Sequence, residues 1–158
     1  MLQPGQKAPD FSLYDTEKNK KSLQEYKGQN LLLLFFPLAF TSVCTKELCS
    51  IRDDIWRYNQ LNVQVFGISV DSIYTLAHFR EEQKLNFPLL SDFNKTVSHA
   101  YDSLYQTFGF EMSGVSKRAA FVIDKEGIIR HVEVLENAGE LPDFHKINTT
   151  LDELTESQ

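Results

Sequence analysis

Leu31-Leu32-Leu33-Leu34-Phe35-Phe36-Pro37-Leu38-Ala39-Phe40-Thr41-Ser42-Val43-Cys44 is the stretch on which the fold turns. The run Leu31 to Phe36 is apolar without alternation, the pattern of a strand buried on both faces. Pro37 has a fixed φ and no N–H, so it ends the strand. Hydroxyl residues then stand where a helix would begin, and Cys44 falls in or near its first turn. The free N–H groups and positive dipole end of a helix favour a thiolate there over a thiol. The chain has two cysteines, and the second, Cys49, follows five residues later. Any sulfur chemistry belongs to this window.

The remaining elements follow outward from it. Ala8 to Asp15 alternates enough for a short strand, and Lys18-Asn19-Lys20-Lys21 reads as a charged turn. From Ser42 to about Tyr58 the apolar residues Val43, Leu48, Ile51, Ile55 and Trp56 keep roughly helical spacing. Val63 to Val70 is a second core strand. Asp71-Ser72 caps a helix over about 73–84. Phe87 to Leu90 is a short strand, and Ser91-Asp92 caps a helix over about 95–101. Ala119 to Ile123 and Ile128 to Val134 are strands joined by the turn Asp124-Lys125-Glu126-Gly127. A last helix covers about Phe144 to Thr155. This order implies an α/β chain with a central mixed β-sheet flanked by helices on both faces, compatible with a thioredoxin-like fold. There are no repeats or linker-like stretches, so residues 1–158 are expected to form one domain.

Composition narrows the function classes. The chain has 158 residues, 42% of them hydrophobic and 24% charged, as in globular domains. Its net charge is −6. Without a basic cluster to override it, that charge disfavours nucleic acid and anionic membranes as partners. The longest purely apolar run is too short to span a bilayer. No apolar signal region opens the sequence, so a cytoplasmic location is expected, where disulfides are more often transient than structural. The four histidines, His78, His99, His131 and His145, are scattered and do not pair with the cysteines at zinc-ligand spacing. Gly-rich phosphate loops and serine-elbow motifs are absent. No metal or organic cofactor is expected.

Pro37-x-x-x-Thr41-x-x-Cys44 resembles the active-site pattern of the peroxiredoxin family. Glu47, three residues after Cys44, and Arg118 in Gly114-Val115-Ser116-Lys117-Arg118-Ala119-Ala120 match positions that family uses. Ala8-Pro9-Asp10-Phe11, Phe87-Pro88-Leu89-Leu90-Ser91-Asp92 and Asp124-Lys125-Glu126-Gly127-Ile128-Ile129-Arg130 look like its other landmarks, in the right order. The likeness therefore covers nearly the whole chain. Pro37 to Thr41 is most similar to the alkyl hydroperoxide reductase E type. A second cysteine at Cys49 is typical of the bacterioferritin-comigratory-protein group. The resemblance implies a thioredoxin-like fold and reduction of a hydroperoxide by Cys44, with thioredoxin or a similar thiol reductant as partner and a homodimer as the expected assembly. It also implies Cys49 as the resolving cysteine, closing an intramolecular disulfide.

The residue types suit that chemistry. A free cysteine, with pKa about 8.5, is mostly thiol at neutral pH. The helix N-terminus, the permanent charge of Arg118 and the Thr41 hydroxyl would each favour the thiolate. The same donors, aimed at the separating oxygens, would stabilise charge in the transition state. Pro37 would pack over the sulfur without adding a competing donor. Glu47, one turn from Cys44, would oppose a thiolate if left bare, so it is expected to pair with an arginine.

Cys49 poses a geometric problem. In an ideal helix, residues five apart are separated by roughly 140° and about 7.5 Å of rise, placing their Cα atoms roughly 8.6 Å apart. A disulfide needs about 7 Å or less. If Cys49 resolves a sulfenic acid, the first turns of the helix must unwind. Plainer roles stand beside these: Cys44 and Cys49 as core residues, Thr41 as a helix cap, Glu47 and Arg118 as solvated charges. Rival functions are a one-cysteine peroxidase resolved by an external thiol, a redox sensor and a thiol–disulfide oxidoreductase. The last would need Cys-x-x-Cys, which this chain lacks.

Overall fold

The computed structural model describes residues 1–156. Seven strands form one sheet in the order β2-β1-β5-β4-β3-β6-β7. They are β1 (Ser12–Asp15), β2 (Lys20–Ser22), β3 (Asn30–Phe35), β4 (Val63–Ser69), β5 (Leu89–Ser91), β6 (Arg118–Ile123) and β7 (Ile129–Leu135). The helices are α1 (Ser42–Asp53), α2 (Ile55–Gln60), α3 (Ile73–Glu82), α4 (Thr96–Ala100) and α5 (Phe144–Glu156). β3 is parallel to β4 and antiparallel to β6, so the sheet is mixed.

Every residue of β3 is buried, as its unbroken apolar run requires. Its side chains alternate between two cores. Leu32 and Leu34, continued by Phe36, join Cys44, Leu48 and Ile51 of α1, Leu76 and Phe79 of α3, and Ile147 and Leu151 of α5. Leu31, Leu33 and Phe35 face the opposite core, with Phe66, Val97, Tyr101 and Phe121. Helices thus cover both faces of the sheet. The sheet positions the site through its pairings. Phe35 at the end of β3 lies opposite Ala119, next to the first residue of β6, and Ile68 near the end of β4 lies beside Phe35. The carboxyl ends of β3 and β4 and the amino end of β6 therefore meet at one edge, where α/β sheets commonly place their ligands.

Local signals place most elements. The Ser72 hydroxyl accepts the Thr75 N–H at 3.2 Å and starts α3. The Asp92 carboxylate accepts N–H groups of Val97 (3.1 Å) and Ser98 (2.6 Å) at the start of α4. Asp124 closes the β6–β7 turn by accepting from Glu126 and Ile128.

Three expectations are corrected. The first strand begins at Ser12 rather than Ala8, because Pro9 has no N–H to pair and its carbonyl instead accepts the Tyr101 hydroxyl at 2.6 Å. The Lys18–Lys21 segment is only half a turn: from Lys20 it becomes β2, an edge strand of charged residues with no hydrophobic signature. The single helix expected over Ser42 to Tyr58 is two, broken at Asp54, where φ and ψ leave the helical region. Aspartate favours such termini over helix interiors.

Gly67 in β4 is a tight point between sheet and core. A Cβ there would lie 2.7 Å from Leu89 Cδ2 and 3.4 Å from Phe36 Cε1. Gly67→Ala is expected to destabilise the fold by about 1–3 kcal/mol, read from the shift of the urea unfolding midpoint.

Candidate active site

Cys44 is the third residue of α1 and only 1% exposed. Arg118, the first residue of β6, is likewise 1% exposed and donates from Nη2 to Cys44 Sγ at 3.3 Å. Its Nη1 donates to Glu47 Oε1 at 2.8 Å and its Nε to the Ala138 carbonyl at 3.0 Å. Residues three apart on a helix share a face, so α1 presents Cys44 and Glu47 together to one guanidinium. The β3–β6 register delivers that guanidinium from across the sheet.

Glu47 is completely buried, and among the described residues its Oε2 has no hydrogen-bond partner. Burial pushes its carboxyl up to about 7; the Arg118 charge opposes this, and Glu133 adds to it. Burial pulls Arg118 downward, but the attraction of Glu47 and Cys44 outweighs it and raises its pKa. The guanidinium therefore stays a cation beside the sulfur.

A short loop closes over this arrangement. Pro37 and Ala39 are buried, while Phe40 takes a φ of 67°, the left-handed region that bulky residues avoid. Its ring packs on Phe79 at 5.1 Å between centroids and near His78 at 5.7 Å. The loop is tied to β4 by the Ala39 N–H, which donates to Asp71 Oδ2 at 2.9 Å. The Ser69 hydroxyl donates to the same oxygen at 2.6 Å.

Of the six residues singled out from the sequence, Cys44, Glu47 and Arg118 are in direct contact, and Pro37 is buried in the adjoining loop. Thr41 occupies the N-cap position of α1, but its hydroxyl caps no N–H group and instead donates to the Leu38 carbonyl at 2.7 Å. Its backbone carbonyl accepts the Thr45 N–H at 2.9 Å. Cys49 is half-buried, unbonded to Cys44, and its Sγ lies 3.5 Å from Gln83 Oε1. Sequence reasoning misses Asp71, whose residue type reads as part of a helix cap. Ser72 alone accepts there, and the Asp71 carboxylate turns to the loop. It also misses the Ala138 carbonyl, since a backbone acceptor leaves no trace in residue type. Among the described residues no group of three or more His, Cys, Asp and Glu is placed to hold a metal ion. None of the described helices is long and apolar enough to cross a membrane.

A thiol beside a buried cation, under a short loop at a sheet edge, is an arrangement suited to cysteine redox chemistry. Comparison with known proteins names the class. The AhpC/TSA family matches residues 4–132. A Mycobacterium tuberculosis protein named a peroxiredoxin is 41% identical over 130 residues, covering 81% of this chain and 82% of its own. Alkyl hydroperoxide reductase E of Mycobacterium bovis is 38% identical over 146 residues, covering 90% and 92%. The crystal structure of peroxidoxin BcpB from Mycobacterium tuberculosis superposes with a TM-score of 0.85 at 28% identity, covering 98% of this chain and 99% of that one. The chain belongs to the AhpC/TSA family of peroxiredoxins, on a thioredoxin-like fold. It is a thiol-dependent peroxidase.

The buried carboxyl gives a pH test. Folded Glu47 keeps its proton up to about 7, whereas the ordinary value of 4.5 applies once unfolded. Between these values the native state binds more protons, so its stability falls as pH rises. Urea unfolding at pH 5 and pH 7.5 is expected to show the wild type losing more stability than Glu47→Gln across that window.

Proposed function

We propose that Cys44 is the peroxidatic nucleophile, with Arg118, Thr41, Pro37 and Glu47 in supporting roles. The observation that carries this is the buried Arg118 guanidinium donating to Cys44 Sγ at 3.3 Å. A thiolate attacks one peroxide oxygen; the S–O bond forms as the O–O bond breaks. The second oxygen leaves with the electron pair and is protonated to water or an alcohol, and Cys44 becomes a sulfenic acid. Arg118 stabilises negative charge first on the sulfur and then on the separating oxygens. Thr41, its proton committed to Leu38, keeps lone pairs free to accept the peroxide O–H. Pro37 shields the sulfur, and Glu47 fixes the plane of the guanidinium through its 2.8 Å bond.

Cys49 acts as resolving cysteine, converting the sulfenic acid to a Cys44–Cys49 disulfide with release of water. Thioredoxin or a similar thiol then reduces the disulfide, and the substrates are hydrogen peroxide and organic hydroperoxides. The cytoplasm is the expected compartment, and a homodimer the expected assembly. The exposed apolar side chains Phe40 (45%), Phe110 (100%) and Met112 support the latter, being the kind that interfaces cover. The half-buried setting of Cys49 favours the one-cysteine cycle as second reading.

One experiment separates them. Reduced protein receives one equivalent of hydrogen peroxide and its intact mass is taken, alongside Cys49→Ser. Loss of two hydrogens in the wild type, with one oxygen gained in the variant, is expected. One oxygen gained in both would leave Cys49 without a resolving role. No change in either would remove Cys44 as nucleophile. Arg118→Met is expected to lower the rate of the peroxide step roughly 10²–10³-fold, measured by stopped flow.

A further inference from the structure

Resolution by Cys49 requires α1 to unwind, and the hydrogen bonds along α1 are unevenly distributed. Its last turn is fastened to the end of α3. Arg52 Nη1 donates to the Gln83 carbonyl at 2.6 Å, and Asn86 Nδ2 donates to the Arg52 carbonyl at 3.2 Å. Cys49 Sγ donates to Gln83 Oε1 at 3.5 Å. Gln83 itself is fixed, since its N–H donates to the Phe79 carbonyl at 3.0 Å and Phe79 is fully buried. Ile51 is sunk in the same core as Phe79 and Leu85.

The first turns are held differently. They too bury Cys44 and Leu48 in that core, but among the described residues their side-chain hydrogen bonds beyond the helix and its cap run to a single group, Arg118, from Cys44 and Glu47. Charge-assisted hydrogen bonds are roughly twice as strong as neutral ones. Conversion of a Cys44 thiolate to a neutral sulfenic acid would weaken one of the two. Oxidation thus loosens the first half of α1 and leaves the Arg52–Gln83–Asn86 contacts untouched.

We propose that Arg52, Gln83 and Asn86 are positioning residues for the resolving step, holding Cys49 in place while the first half of α1 unwinds and carries Cys44 to it. This rests on Cys49 being the resolving cysteine. The Cys49 sulfur attacks the sulfenic sulfur; the S–S bond forms, the S–O bond breaks, and hydroxide leaves as water with the thiol proton.

Hydrogen exchange read by mass spectrometry on reduced and peroxide-oxidised wild-type protein tests this. Amides 45–50, whose helical acceptors are the carbonyls of residues 41–46, are expected to lose protection on oxidation, and amides 53 and 54, bonded to carbonyls within the last turn, to keep it. Loss of protection at 53 and 54 as well would overturn the anchor. Intact mass of the same samples separates the two levels: a gained oxygen instead of two lost hydrogens would remove the resolving role, and this proposal with it. A second measurement follows the quenched time course of disulfide formation. Arg52→Ala is expected to slow it several-fold with the initial peroxide step unchanged, and Arg52→Lys to restore it. Disulfide formation as fast as wild type in Arg52→Ala would also overturn the proposal.

Discussion

The arginine at the start of β6 is the constraint to which the rest of the site answers. A guanidinium that is 1% exposed is costly unless its donors are met. Arg118 meets this cost with three groups from two places: a sulfur and a carboxylate from α1 and a carbonyl from the segment after β7. No one of them is adjacent in sequence. Their convergence fixes how α1 sits over the sheet edge, because Cys44 and Glu47 reach one cation only if that helix face points at the beginning of β6. The geometry around the proposed nucleophile and core packing are thus one requirement here, and Cys44 counts in both, lying in the same apolar cluster as Leu34, Leu48 and Ile51.

That convergence also creates tension. Two potential anions share one cation, and the second carboxylate oxygen of Glu47 has no partner among the described residues. Burial resists the charge on Glu47 and Arg118 favours it, which leaves the carboxyl balanced near neutrality. A protonated Glu47 would leave more of the guanidinium's field to the sulfur; an ionised one would hold the guanidinium more firmly. The site gains alignment from the same residue that competes for its cation.

How far the sequence could be read follows from the same physics. β3 was legible because a strand buried on both faces must be apolar throughout, and the β6–β7 hairpin because Asp124 and Gly127 carry turn chemistry in their residue types. α1 and its cysteine were legible because a proline and hydroxyl residues punctuate the boundary. β2 was not, since an edge strand of lysines is chemically a loop until it pairs. Nor was the break at Asp54, where helical spacing runs on past a change of axis. In the site, side chains announced themselves, but their partners did not: the Ala138 carbonyl has no side-chain signature, and Asp71 has the composition of a cap while serving the loop. Thr41 shows the converse. Its position at the helix start was right, yet its proton goes to Leu38 instead of a capping partner.

Asp71 bears on how far the helix can move. The loop before α1 is held at Ala39 by that carboxylate and at Phe40 by ring packing on α3, despite a backbone conformation that an aromatic residue adopts only under constraint. The far end of α1 is held by Arg52 on the terminus of the same helix, α3. The Phe40 and Arg52 attachments are thus both to α3, while Asp71 ties Ala39 to the turn after β4, and Cys44 and Cys49 lie between these points. A chain pinned at each end cannot peel away as a whole. A helix rising about 1.5 Å per residue is already compact, so unwinding between the pins does not draw the ends together; it lets the backbone there bend and its side chains change direction. The proposed Cys44–Cys49 disulfide would draw on that freedom to bring two sulfurs on different helix faces within reach. In that proposal α3, which supplies no reacting group, would set the limits within which the two sulfurs meet.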